Sequence, residues 1–150
     1  MIHQPKINKM VTLNPYLNFQ GNTEEAFNFY KSVFGGEFAF IQRFNETPAG
    51  ANMSPKEANG LMHVALPIGG NMLMGTDAVE SMGQAVKPGN NIHLCLSPDS
   101  KAEADRLFKA LSAGGTPVMP MADQAWGAYF GMATDKFGIS WMINQDNNKQ

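Results

Sequence analysis

One pattern occurs twice in this chain and strongly limits the folds it can adopt. In the first half, an N-x-x-E helix-capping motif at 22–25 precedes an amphipathic stretch that stops at a Gly-Gly pair, 35–36. In the second half, an S-x-x-E motif at 100–103 precedes a similar stretch that stops at a Gly-Gly pair, 114–115. One apolar segment precedes each stretch and three follow it. The repetition therefore predicts two βαβββ modules.

The first module is predicted over about 11–77. Its apolar segments predict the following strands: 11–19, 37–45, 61–68 and 71–76. Gly69 and Gly70 predict a tight hairpin between the last two strands. The segments 45–60 and 77–90 are rich in Pro, Gly, Asn and Ala and are predicted to be irregular, with room for one helical turn in the former.

The second module is predicted over about 91–144. Its strands are predicted at 91–97 and near 116–121, 127–133 and 139–144. Each module offers one amphipathic helix and four strands, too little to close a core by itself. We therefore expect residues 1–150 to form one α+β domain, with the two modules forming a curled mixed sheet around a shared cleft.

Charge and cysteine content exclude several classes of protein. A formal net charge of −2, with scattered basic residues, argues against nucleic acid or acidic lipid as a partner. The single cysteine, Cys95, allows no internal disulfide, and residues 1–10 lack the apolar segment of a signal peptide. No window is apolar enough to span a membrane. We therefore expect a cytoplasmic protein.

Four stretches resemble PhnB-like proteins of the vicinal-oxygen-chelate superfamily, which includes glyoxalases, bleomycin-resistance proteins and dioxygenases. They are PYLNFQGNTEEAFNFYKSVFGG (15–36), MHVALPIGGNMLMGTDA (62–78), the segment around Trp126 with YFG (129–131), and TDKFGISWMIN (134–144). The resemblance implies the glyoxalase/bleomycin resistance-like fold. It also implies a homodimer, since related domains are frequently paired.

Such proteins are sometimes described as 3-demethylubiquinone methyltransferases. A methyltransferase of the common type needs a Gly-rich turn that follows a strand and opens a helix toward its cofactor. The two Gly-Gly pairs here are predicted to end helices instead. The sequence gives this description no support, and no cofactor is predicted.

The resemblance also identifies the positions that hold a metal in the metal-dependent relatives, where each of four strands supplies a His or Glu. Here these positions fall on Pro15 (or Asn14 in an alternative alignment), Met74, His93 and Met142. Only the imidazole is a credible ligand for a hard or borderline ion, because thioethers prefer soft ions. We predict that no glyoxalase-type metal is bound.

The candidate ligand-binding residues combine histidines, methionines and aromatic side chains. They are His63, Met74, His93, Trp126, Tyr129 and Met142. Each histidine is alternatively a structural residue with a hydrogen-bonded neighbour. The aromatic residues are alternatively core or dimer contacts, and Trp126 is the better candidate for a movable wall because a loop precedes it.

Four other residues are predicted to have structural roles or are weaker candidates. Trp141 should lie in the core, and Asp135 should stabilise a turn through its side chain. Asp77 should either cap a neighbouring segment or reach the cleft. Cys95 should be an inert core thiol.

Two function classes remain open, and the missing metal ligands favour the first. It is a small-molecule binder that needs no metal, with a cleft lined by aromatics, methionines and a few polar groups. The second is an enzyme of the superfamily, namely a lyase, isomerase or dioxygenase, using an unusual metal site at His93 or metal-free acid–base chemistry by His63 and His93. A structural or regulatory domain is a third, simpler possibility.

Overall fold

The computed structural model describes residues 11–146. Its contacts divide the chain between Val86 and Lys87 into two units. Each unit contains a four-stranded mixed sheet and one long helix in the order βαβββ, so the duplicated α+β architecture is confirmed. The organisation of residues 1–150 as one domain stays a prediction, which a single thermal unfolding transition would support.

The first unit has the predicted elements, with two shorter strands. Its elements are β1 (Tyr16–Phe19), α1 (Thr23–Phe34), β2 (Phe40–Arg43), the short helix α2 (Pro55–Ala58), β3 (Leu61–Ile68) and β4 (Asn71–Asp77). The strand order is β1-β4-β3-β2, with β1 parallel to β4 and the other pairs antiparallel. Strand β1 begins at Tyr16, not at residue 11, because only Tyr16–Phe19 pair with β4.

Helix α1 packs on this sheet through two fully buried rings, those of Phe27 and Tyr30. The rings meet edge to face, with centroids 5.5 Å apart. Gly75 of β4 allows this approach, because a Cβ at that position would overlap the ring of Phe27. The helix ends at Gly35, whose positive φ of 77° suits glycine, as the sequence predicted.

The start of α1 differs from the prediction in one respect. Asn22 occupies the N-cap position, but its side chain makes no capping hydrogen bond because its backbone (φ −123°, ψ 24°) lies outside the extended region that capping requires. Asp77 of β4 replaces it. Its Oδ1 accepts hydrogen bonds from the amides of Gly21 and Thr23 and from the Thr23 hydroxyl, and its Oδ2 accepts one from the amide of Leu61.

The second unit has the same strand order as the first. Its elements are β5 (Leu94–Leu96), α3 (Lys101–Ser112), β6 (Thr116–Asp123), β7 (Ala128–Thr134) and β8 (Ser140–Asp146), arranged β5-β8-β7-β6. Ser100 caps α3 as predicted, its hydroxyl accepting a hydrogen bond of 3.1 Å from the amide of Glu103. The helix ends just before the predicted Gly-Gly stop: Ala113 is the C-cap in an extended conformation, and Gly114 follows it with φ 75°.

Asp135 organises the turn before β8, as predicted. Its Oδ1 accepts hydrogen bonds from the amides of Phe137 (2.8 Å) and Ile139 (3.1 Å). Its Oδ2 also accepts a hydrogen bond of 2.8 Å from the indole nitrogen of Trp141. The prediction that Trp141 lies in the core is confirmed, because its side chain is only 1% exposed.

Residues 11–146 contain no helix that is both long and apolar enough to cross a membrane.

Candidate functional site

Each sheet has one face covered by its own long helix and an opposite face, which we call the distal face. In the first unit, Leu73 and Val64 lie on the helix face and are almost fully buried. Side chains alternate along a strand, so Met74 lies on the distal face. In the second unit, Trp141 and Ile143 of β8 lie on the helix face, and Met142 lies on the distal face.

The distal face of the first unit brings together two predicted site residues and two that were not predicted. The Tyr16 hydroxyl lies 3.1 Å from Nδ1 of His63, and the two ring centroids are 5.6 Å apart. The Phe40 ring lies on another side of the imidazole, at 5.4 Å between centroids. Met74 is paired with Tyr16 on one side and Ala65 on the other. We call Tyr16, Phe40, His63 and Met74 the Tyr16 cluster.

The Tyr16 cluster combines accessible aromatic surface with an adaptable polar group. Tyr16 and Phe40 are 45% and 47% exposed. The imidazole can donate or accept at either ring nitrogen according to its tautomer, and the phenol can do both. The cluster can therefore stack on a planar ligand and hydrogen-bond to its polar edge. The hydrogen bond between Tyr16 and His63 also provides a short path for proton transfer.

The sequence could have identified Tyr16 as a candidate site residue, because side chains alternate between the two faces of a strand. Leu17 and Phe19 alternate with Tyr16 and Asn18 in β1. Because Phe19 is buried, this alternation assigns Tyr16 to the opposite face. Its contact with His63, 47 residues later, could not be predicted from this alternation, because the contact depends on the order of the strands in the sheet.

Met142 lies at the centre of the distal face of the second unit. It is paired with Cys95 of β5 on one side and with Met132 of β7 on the other. The prediction that Cys95 is a core thiol is wrong, because its side chain is exposed. Leu94 and Leu96 pair with the buried residues of β8, and the cysteine between them therefore points to the distal face. Partial burial nevertheless raises the pKa of the Cys95 thiol.

Trp126 lies in the connection between β6 and β7 and is 63% exposed. Its ring meets the ring of Phe130 edge to face, with centroids 5.7 Å apart. Phe130 is on the same face as Met132, two residues later in β7. The structure thus gives Trp126 a ring contact on the face that carries Met142, and the alternative of a core role for Trp126 is excluded by its exposure.

Tyr129 lies on the helix face, opposite to Met142. Its hydroxyl donates a hydrogen bond of 2.6 Å to Oδ1 of Asp105 on α3, and this bond raises the pKa of the phenol. The ammonium group of Lys101, also on α3, lies 5.1 Å from the centre of the Tyr129 ring. Neighbouring residues of a strand point in opposite directions, so Tyr129 is separated from the face that carries Phe130.

His93 is half-buried and immediately precedes β5. The other positions of the metal set do not supply suitable donors for a glyoxalase-type ion. Met74 and Met142 carry thioethers. The side-chain oxygen of Asn14 accepts a hydrogen bond of 2.8 Å from the amide of Met72, which fixes it against β4. In the part of the chain that the structure describes, no three His, Cys, Asp or Glu side chains are grouped to hold an ion.

Asp77 has a structural role, although it lines a cavity of about 240 Å³. Both carboxylate oxygens accept hydrogen bonds from the first unit itself, and the residue is 7% exposed. Of its two predicted roles, the structure supports the capping one.

A family model described as 3-demethylubiquinone-9 3-methyltransferase matches residues 11–144. Protein YjdN of Escherichia coli is 34% identical to this chain over 140 residues, which cover 88% of this chain and 93% of YjdN. Protein PA1353 of Pseudomonas aeruginosa has a crystal structure that is similar with a TM-score of 0.80 and 37% identity, over 91% of this chain and 98% of that one.

Two further solved structures share this fold. One is a putative 3-demethylubiquinone-9 3-methyltransferase, PhnB protein, from Bacillus cereus, with a TM-score of 0.73 and 26% identity over 90% of this chain and 99% of that one. The other is a glyoxalase-related enzyme from Fulvimarina pelagi, with a TM-score of 0.61 and 20% identity over 91% of this chain and 89% of that one. At that identity the second match shows the fold alone.

Proposed function

We propose that this chain, which belongs to the PhnB-like family of the glyoxalase/bleomycin-resistance superfamily, binds a small organic ligand on the distal faces of its sheets without a glyoxalase-type metal. The model of this family is the one described as 3-demethylubiquinone-9 3-methyltransferase. The observation that carries the proposal is the Tyr16 cluster, in which accessible rings surround a hydrogen-bonded imidazole. Sites for small molecules typically combine apolar and aromatic walls with a few polar anchors.

The residues of the Tyr16 cluster suggest the chemistry of the ligand. Two half-exposed rings favour a flat, partly apolar molecule, and the Tyr16–His63 pair favours one with a hydroxyl, carbonyl or ring nitrogen at its edge. Met74 adds a flexible side chain that adapts to different shapes. We further propose that His93, Trp126 and Met142 bind ligand on the distal face of the second unit, with the exposed Trp126 adjusting its position.

The methyltransferase description of the family has little physical support in this chain. Both Gly-Gly pairs follow the last turns of helices: Gly35 is the C-cap of α1, and Gly114 comes directly after Ala113, the C-cap of α3. They therefore act as helix stops, whereas a cofactor loop would have to open a helix.

We expect substitutions in the Tyr16 cluster to weaken binding of compounds found by screening chelator-treated protein with planar, hydroxylated or carbonyl-containing fragments. Tyr16→Phe removes one hydroxyl and should weaken binding about threefold to tenfold, the equivalent of one hydrogen bond. His63→Ala removes both the ring surface and the polar anchor and should have a larger effect. Titration calorimetry measures both.

Tyr129→Phe is the matched control, because it removes the same hydroxyl from the helix face of the other sheet. It should leave the affinity unchanged. Two outcomes would count against the proposal: equal effects of the two Tyr→Phe substitutions, or binding that appears only when a divalent ion is added back.

A second candidate function is metal-free acid–base catalysis within the same superfamily. The hydrogen bond between the Tyr16 hydroxyl and His63 favours it, since this pair can hold and transfer a proton. Incubation of the protein with each screening hit, followed by mass spectrometry, separates the two functions. Conversion that is lost in His63→Gln supports catalysis, and unchanged compound supports binding alone.

We also propose that the protein is a homodimer. Strands β2 and β6 are at the edges of their sheets, and they expose Ile41 (43%) and Val118 (56%). Exposed apolar edge strands are commonly covered by a partner. Light scattering at micromolar concentration should give twice the mass of the 150-residue chain. A monomer would contradict this proposal without affecting the ligand proposal.

A further inference from the structure

Four sulfur-containing side chains form a continuous row across the distal face of the second sheet. Cys95 of β5 pairs with Met142 of β8, Met142 pairs with Met132 of β7, and Met132 pairs with Met119 of β6. The row thus includes one residue from each of the four strands. Directly paired residues have Cβ atoms about 5 Å apart, so neighbouring sulfur atoms in the row are within reach of one another.

The core of the second unit does not require these sulfur atoms. The packing residues of β8, Trp141 and Ile143, lie on the other face and are 1% and 0% exposed. Cys95 is exposed and Met119 is 42% exposed, whereas Met132 and Met142 are half-buried. The row is therefore partly accessible, with its two central thioethers held in place by the sheet.

A thiolate with neighbouring thioethers is a soft donor set. The thioethers of this set favour the soft Cu(I) ion over hard ions, which prefer oxygen ligands. Methionine has three rotatable bonds, so the sulfur atoms of adjacent strands can converge on one ion. We propose that Cys95, Met142 and Met132 form a binding site for one Cu(I) ion. This site is separate from the Tyr16 cluster, shares Met142 with the ligand-binding surface proposed above, and is tested by Cu(I) alone, without the organic ligand.

Binding of the ion requires the thiolate form of Cys95. The thiol proton is released to solvent as the sulfur–metal bond forms, and the oxidation states of sulfur and copper do not change. The two thioethers are neutral and lose no proton. Uptake of one Cu(I) should thus release one proton per chain.

The proposal is tested by titrating the full chain with Cu(I) under anaerobic conditions, in competition with a chromogenic Cu(I) chelator. The variants are Cys95→Ser, Met142→Leu and Met132→Leu. Met→Leu substitutions conserve most of the side-chain volume, so the fold should be kept, and circular dichroism checks this. Met82→Leu is the control, since Met82 is an exposed methionine of the first unit (66%).

We expect one tightly bound Cu(I) per chain in the unsubstituted protein and in Met82→Leu. Met142→Leu and Met132→Leu should each weaken binding about tenfold or more, because the loss of even an outer-shell partner of a metal site has an effect of that size. Cys95→Ser should abolish tight binding. The absence of tight binding would overturn the proposal, as would a loss confined to Cys95→Ser, which would indicate a lone thiol.

Discussion

Replacing Asp77 with alanine is expected to lower the free energy of unfolding by about 3–4 kcal/mol, because four hydrogen-bond donors, three of them buried, lose their acceptor. These donors are the amides of Gly21, Thr23 and Leu61 and the hydroxyl of Thr23. The substitution removes the cap of α1 and a link between α1, β3 and β4 at the same time. Such a loss is a large part of the stability of a small domain. Urea unfolding followed by circular dichroism measures it.

Two further substitutions define how Asp77 acts. Asp77→Asn keeps the shape and one acceptor oxygen but points an amide group at backbone donors. Its free energy of unfolding should therefore lie between those of the unsubstituted protein and Asp77→Ala. Glu80→Ala removes a nearby carboxylate that is exposed, and it should change stability by no more than about 0.5 kcal/mol. A cost below about 1 kcal/mol for Asp77→Ala would mean that other groups can replace this acceptor.

The second large effect is expected at the Asp135–Trp141 pair. Asp135→Ala leaves two turn amides and a buried indole nitrogen without their acceptor, and it should destabilise the protein by about 3 kcal/mol. Trp141→Phe removes the indole N–H and part of a fully buried ring, and it should also be clearly destabilising.

A double-mutant cycle separates the hydrogen bond from the other losses. A hydrogen bond to a charged acceptor contributes about 1.5–3 kcal/mol, so the two substitutions should be non-additive by about that amount. Additivity within about 0.5 kcal/mol would show that the bond between Asp135 and Trp141 contributes little to stability.

The duplicated architecture could be predicted from sequence because its determinants are local. The start of α3 depends on Ser100, the end of α1 on Gly35, and the hairpin between β3 and β4 on Gly69 and Gly70. Likewise, the alternation of apolar and polar residues in β8 was sufficient to assign Trp141 to the core.

The parts of the structure that the sequence did not reveal depend on contacts between distant segments. Asn22 has the residue type and spacing of a helix cap, but the cap comes from Asp77, 54 residues away from Thr23. Similarly, Tyr16 meets His63 only because β4 lies between β1 and β3 in the sheet. Spacing along the chain carries no information about such partners.

The faces on which the Cys95 and Tyr129 side chains lie could have been predicted from the sequence by strict use of the alternation along each strand. Cys95 stands between two leucines that face the core, and Tyr129 stands beside Phe130 in β7. The sequence analysis predicted a core thiol at Cys95 and a ligand-binding role for Tyr129, but adjacent residues in a strand point to opposite faces. Exact strand boundaries decide such assignments.

We propose that the chain binds a small organic molecule on the distal faces of its sheets without a glyoxalase-type metal. Amide chemical shifts of chelator-treated, isotope-labelled protein, recorded during titration with a screening hit, test this binding at the level of single residues. We expect the largest shifts at the Tyr16 cluster, with Trp126 and Met142 also affected and with the outer surfaces of α1 and α3 unchanged. Shifts centred on those helices, or shifts that appear only after a divalent ion is added, would contradict this proposal.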